Sequence, residues 1–102
     1  MTRPVQWSRD ALNDPKNQIA YIAAENPIAA QRVADRIRET AVALGSMATG
    51  RPGRVSGTYE KSVTRLPFII AYAITQQHEG EFISILRVIH TSRNWPDETW
   101  PA

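Results

Sequence analysis

Two histidines, three tyrosines and a series of arginines are the side chains of this sequence best equipped for chemistry. Cleaving RNA without a metal needs a base for the 2′-hydroxyl, an acid for the leaving oxygen and cations for the negative charge that develops. His90, Tyr59 or Tyr72, and Arg65, Arg87 and Arg93 supply those groups. Composition permits such a site, but spacing does not demonstrate it. A structural alternative carries more weight: Arg65 and Arg87 stand on an open sheet face, Tyr59 and Tyr72 pack, and His90 caps a strand. Metal chemistry has less to build on. Cysteine is absent, His78 lies in a polar turn and His90 at a strand end, so neither a metal nor a cofactor is expected. Gly50-Arg51-Pro52-Gly53 matches neither glycine pattern that cradles phosphate and reads as a loop.

Two features suit binding instead. Between Arg51 and Arg65 the cations Arg51, Arg54, Lys61 and Arg65 face Glu60 alone, which makes either a solvated face or a docking surface for an acidic partner. Near the C-terminus Trp95 and Trp100 are each followed by proline. Trp95 either folds back on the core or serves as an exposed anchor, and Trp100 reads as exposed.

Positioning these groups falls to 102 residues, the size of one domain, read as 1–102 with 91–102 as a C-terminal tail. With 42% hydrophobic and 22% charged residues, the chain has the makeup of a globule rather than of a disordered chain or a rod. A net charge of +2 is too weak to imply nucleic-acid binding by itself. Leu66 to Ile74, the longest apolar stretch, is about half the length of a bilayer-spanning helix, and Met1 to Trp7 has no signal-peptide core. A cytoplasmic, membrane-free protein is expected.

Val5 and Trp7 flank Gln6 in Pro4 to Trp7, a short strand. Asp14-Pro15 is a helix-start pair, aspartate as N-cap and proline in the first turn, and Ile19, Ile22 and Ala23 follow on one side. Asn26-Pro27 stops that helix and opens a second, whose stripe of Ala30, Val33, Ala34, Ile37, Ala41 and Leu44 runs to a stop at Gly45. So short a connection makes an antiparallel helical hairpin. Ser46 to Gly57 has neither period and reads as a loop. Thr58 to Leu66 alternates as a strand with one wet face, Phe68 to Thr75 is apolar on both faces, Gln77 to Gly80 turns, and Glu81 to His90 returns. The expected fold is α+β: a short N-terminal strand, an antiparallel helical hairpin packed on one sheet face, then a three-stranded antiparallel meander.

Several phrases in this order resemble a known family. They are Val5-Gln6-Trp7-Ser8, Ile19-Ala20-Tyr21-Ile22-Ala23 with Glu25-Asn26-Pro27, Arg65-Leu66-Pro67-Phe68-Ile69-Ile70-Ala71-Tyr72, and above all Ile85-Leu86-Arg87-Val88-Ile89-His90-Thr91-Ser92-Arg93-Asn94-Trp95-Pro96. Each is a weak motif, but their order, spacing and the total length together look like a ParE toxin of the RelE/ParE superfamily. The resemblance implies a bacterial type II toxin that inhibits DNA gyrase by binding, has no catalytic residues, and is neutralised by a ParD-like antitoxin through which alone it meets DNA. It implies antitoxin contacts on the helical hairpin and neighbouring sheet at Ile19, Ile22, Ala30, Val33, Ile37 and Tyr59. Target contacts are implied at Arg87, Arg93, Trp95, Arg51, Arg54 and Arg65.

The alternative within the superfamily is the RelE-like ribosome-dependent endoribonuclease, and a third possibility is an interaction module without activity. The ribonuclease branch carries a denser basic set and a terminal tyrosine or histidine for proton transfer. Here the last strand leads into Arg93-Asn94-Trp95-Pro96 with few lysines or arginines on the sheet, which favours the gyrase branch. Pro15 stands where the family commonly has an apolar helix residue, so the first helix is expected to start late.

Overall fold

The computed structural model describes residues 2–91; Arg93, Trp95 and the rest of the tail lie outside them. Its elements are β1 (Val5–Trp7), α1 (Arg9–Asn13), α2 (Lys16–Glu25), α3 (Pro27–Ser46), β2 (Arg51–Pro52), β3 (Tyr59–Ser62), β4 (Phe68–Gln77) and β5 (Gly80–His90). The expected α+β plan is present: α2 and α3 form the hairpin, and β3, β4 and β5 the antiparallel meander. At the Asn26-Pro27 junction the Asn26 Oδ1 accepts from the Ala29 N–H at 3.0 Å while Pro27 opens α3, as the sequence predicts.

Four local features differ from the sequence expectation, each for a physical reason. The stretch expected to be loop throughout contains β2, so the described sheet has five strands in the order β1-β5-β4-β3-β2, with β1 parallel to β5. β3 stops at Ser62 rather than Leu66, because Ser62 pairs with Ile69 and the chain must reverse between them. That turn places Arg65 at φ +64°, off the sheet. Asp14 does not cap the first long helix. It ends α1, which Ser8 caps, and Pro15 precedes α2 without a side-chain cap. Gly45 does not stop its helix, which runs on to Ser46; a Cβ there would lie 2.6 Å from the Arg3 carbonyl oxygen, so glycine is what lets the chain before β1 approach α3.

The core lies between α3 and one sheet face. Ile37, Ala41 and Leu44 of α3 meet Ile70 and Tyr72 of β4 and Ile83, Ile85 and Val88 of β5, all buried. Each such aliphatic side chain contributes about 1.5–3 kcal/mol when removed from water. Between Ile85 and Arg87 the register slips by one, leaving Leu86 as a bulge residue opposite no partner on β4. Leu86 turns to the second face, where it packs with Ala71, Ile89 and Val55.

Candidate partner-binding surface

An apolar groove of about 240 Å³ opens where α1, α2 and α3 meet the end of β1. Trp7, Leu12, Pro15, Ile19, Ala34 and Ile37 line it, and Leu12 is 54% exposed. The groove follows from the local sequence: two half-buried helices with small residues at their contact cannot fill the space that the α1 turn leaves beside them. Arg38 stands at its rim and is held by Asp35, one turn back on α3.

Of the residues that the resemblance implies for the antitoxin, Ile19 and Ile37 meet in this groove. Ala30 is buried, Val33 packs against the core, and Ile22 is half-buried on α2. Tyr59 does not line the groove; it packs against the core, its ring stacked on that of Tyr72 with centroids 5.5 Å apart. Trp7, Leu12 and Ala34 complete the wall and carry no separate signal in sequence beyond being apolar.

The implied target residues are dispersed. Arg51 is exposed on the edge strand and Arg65 in the turn after β3. Arg54 donates from its backbone N–H to Glu60 at 2.9 Å, and its Nε lies 3.4 Å from the same oxygen, so the nearly buried Glu60 carboxylate ties the 53–57 loop to β3. Arg87 is neither free nor directed outward. Its Nε and Nη2 donate to the two Asp14 oxygens at 2.9 and 2.8 Å, and Oδ2 also accepts from the Val88 N–H at 2.8 Å. Being bonded to Asp14 raises the pKa of Arg87 above its ordinary value, against the opposing effect of burial. Just before it, the Ser8 hydroxyl donates to the Leu86 carbonyl at 2.8 Å. Ser8 and Asp14 thus carry on, with side chains, the pairing of β5 where β1 ends.

Of the groups weighed for RNA chemistry, Tyr59, Tyr72, His90 and Arg87 each have a structural partner. His90 meets Phe68 edge to face at 5.2 Å. The Tyr72 hydroxyl accepts from the Gly50 N–H at 2.9 Å beneath the loop, at a position where a Cβ on residue 50 would come within 2.5 Å. Burial pushes the Tyr72 pKa up; the Gly50 bond pulls it down less, and Tyr59 adds a smaller push upward. The folded chain therefore holds this proton where the unfolded chain, at 10.0, has begun to release it. Stability from this group is complete below about pH 10 and is lost as pH rises through the folded value. We expect melting temperature to fall on alkaline titration and the Tyr72→Phe variant to lack that part of the fall, at the expense of about 1 kcal/mol for the unpartnered Gly50 N–H. Identical alkaline profiles for the two proteins would contradict the assignment. Among the described residues no cluster of three or more histidine, aspartate or glutamate side chains is arranged to hold a metal, and no helix is long and apolar enough to cross a membrane.

Comparison with known proteins then bears on this surface. Residues 5–95 match the family described as the ParE toxin of the type II toxin–antitoxin system parDE. A protein of Sinorhizobium fredii named "Putative toxin Y4kP" is 37% identical over 93 residues, covering 90% of this chain and 92% of that protein. A solved structure described as the chromosomal ParDE TA system from P. aeruginosa superposes with a TM-score of 0.75 at 25% identity, covering 87% of this chain and 96% of that one.

Proposed function

Because this chain belongs to the ParE toxin family of type II toxin–antitoxin systems, we propose that it is a cytoplasmic toxin that acts by binding DNA gyrase and is held inactive by a ParD-like antitoxin. The observation that carries this reading is the family match along residues 5–95, which takes in every element of the fold. The groove of Trp7, Leu12, Ile19, Ala34 and Ile37 supports the antitoxin half: it is mostly apolar and of the kind that an amphipathic helix covers with spaced apolar anchors. Such a segment folds as it binds, so its affinity is lowered by the ordering of its chain. DNA enters only through the antitoxin.

For gyrase the contacts proposed are Arg51, Arg54, Arg65 and Arg87 with Arg93 and Trp95, aromatic and arginine side chains being those that dominate protein interfaces. Purified chain is expected to inhibit gyrase supercoiling, to lose that inhibition when the antitoxin is added, and to lose it with Trp95→Ala or Arg93→Ala while melting normally. Cells expressing it alone should filament with a DNA-damage response. Rapid arrest of translation with cut messages would establish the ribonuclease alternative instead, and normal growth an inactive interaction module.

A further inference from the structure

Two of the arginines proposed for gyrase, far apart in the chain, stand at the ends of one cross-strand row. Arg87 pairs with Ala71, Ala71 with Glu60, and Glu60 with Arg51, across β5, β4, β3 and β2 in turn. Directly paired residues share a sheet face. Ala71 packs with Ile89, Leu86 and Val55, so the row lies on the second face, away from α3. Arg54 joins it through Glu60. At about 4.8 Å per strand spacing the row is about 14 Å long, well inside the ~800 Å² that one partner of a standard interface covers.

At the Arg51 end the row rests on little backbone. β2 has two residues, and a slip of one would turn Arg51 to the core face and Pro52 to the second, because successive residues point to opposite faces. The bonds that fix this register come from the loop that follows. The Gly53 N–H donates to the Thr58 carbonyl at 2.8 Å, and the Thr58 N–H and hydroxyl both donate to the Val55 carbonyl, at 3.1 and 2.6 Å. Glu60, only 7% exposed, accepts from the Arg54 N–H at 2.9 Å, with the Arg54 Nε at 3.4 Å. A buried carboxylate is a poor source of stability: removing it from water offsets most of what its bonds return, and an apolar group of similar volume often stabilises as well. Its bond to one particular N–H does discriminate between registers. We propose that Glu60 is a positioning residue for the target, locking β2 in the register that presents Arg51, and holding Arg54, on the second face. This rests on the gyrase reading given above. Glu60 acts through the two arginines rather than by touching gyrase.

The test compares the full chain with Glu60→Leu, with Glu60→Gln, and with Arg51→Ala and Arg54→Ala combined, by inhibition of gyrase supercoiling, melting and amide exchange. Glu60→Leu is expected to need about tenfold more protein for the same inhibition, while melting close to the parent and exchanging its Arg54 N–H faster. Glu60→Gln keeps an oxygen that accepts from the Arg54 N–H and should inhibit nearly as the parent does. The variant lacking both arginines should lose inhibition at least as far as Glu60→Leu, and adding Glu60→Leu to it should change nothing more. Three results would overturn the proposal: inhibition by Glu60→Leu equal to the parent's, a fall in inhibition matched by a fall in melting temperature, or full inhibition by the variant lacking both arginines. Each of these leaves the gyrase reading standing, since the unaltered chain still inhibits. An unaltered chain that leaves supercoiling untouched removes that reading, and the proposal with it.

Discussion

Replacing Ile37 by aspartate is expected to leave the chain without a cooperative melting transition. Ile37 is 3% exposed and packed with Leu44, Ile70 and Ile85. A carboxylate placed there loses the aliphatic contribution of about 2–5 kcal/mol and either stays charged among apolar side chains or takes up a proton at further expense. Total stability for a chain of this length is on the order of 5–15 kcal/mol, so the sum reaches most or all of it. Loss of near-ultraviolet ellipticity and of a sigmoidal urea transition would show the effect. Ile37→Val should stay folded and lose about 0.5–1.5 kcal/mol, which makes it the control for any effect on antitoxin binding through the groove. A melting temperature unchanged by Ile37→Asp would mean that this side chain is not in the core.

Asp14→Ala comes second in size. The substitution removes three hydrogen bonds at once and leaves the Arg87 guanidinium and the Val88 N–H without their acceptor. Truncating one side of a fully buried ion pair costs about 3–5 kcal/mol, but the Arg87 side chain keeps 26% of its exposure and recovers part of its hydration. The orphaned Val88 N–H adds about 1–3 kcal/mol. We expect a net loss on the order of 3 kcal/mol, read as a lower urea midpoint at an unchanged slope. Asp14→Asn should lose less, since one oxygen remains to accept. In Asp14→Ala with Arg87→Met, part of the loss should return, because no cation is then stranded, and the departure from additivity measures the pair. A loss below about 1 kcal/mol for Asp14→Ala would mean that β5 is held by its other contacts alone.

This pair also governs how activity data are read. Arg87 is among the residues proposed for gyrase, yet its guanidinium is spent on Asp14. Loss of inhibition by Arg87→Ala therefore supports a target contact only where Asp14→Ala, similarly destabilised but with Arg87 intact, still inhibits.

Much of the fold was legible because the relevant forces are local. The Asn26-Pro27 junction carries a side-chain cap and a proline that blocks one helix and starts another, all within four residues. The period change from the α3 stripe to the Phe68–Thr75 run separates helix from sheet. Asp14-Pro15 shows how the same local chemistry misleads. An N-cap bond stabilises by about 1 kcal/mol, whereas a bidentate bond to arginine with a backbone N–H besides is worth more, and those partners lie more than seventy residues away. Gly45 looked like a stop because glycine usually is one. What required it was the Arg3 carbonyl, which no local pattern announces.

By itself the sequence determined the order of helices and strands, the apolar faces that must be buried, and a chain of phrases whose family the comparisons bear out. Those follow from backbone preferences and periodicity, which each segment carries within itself. Only the tertiary structure decided that β1 lies parallel to β5, that Arg87 is tied to Asp14, and that Arg54 is tied to Glu60. Each depends on which distant backbone or charge comes within hydrogen-bond reach, and that is set by how the layers pack.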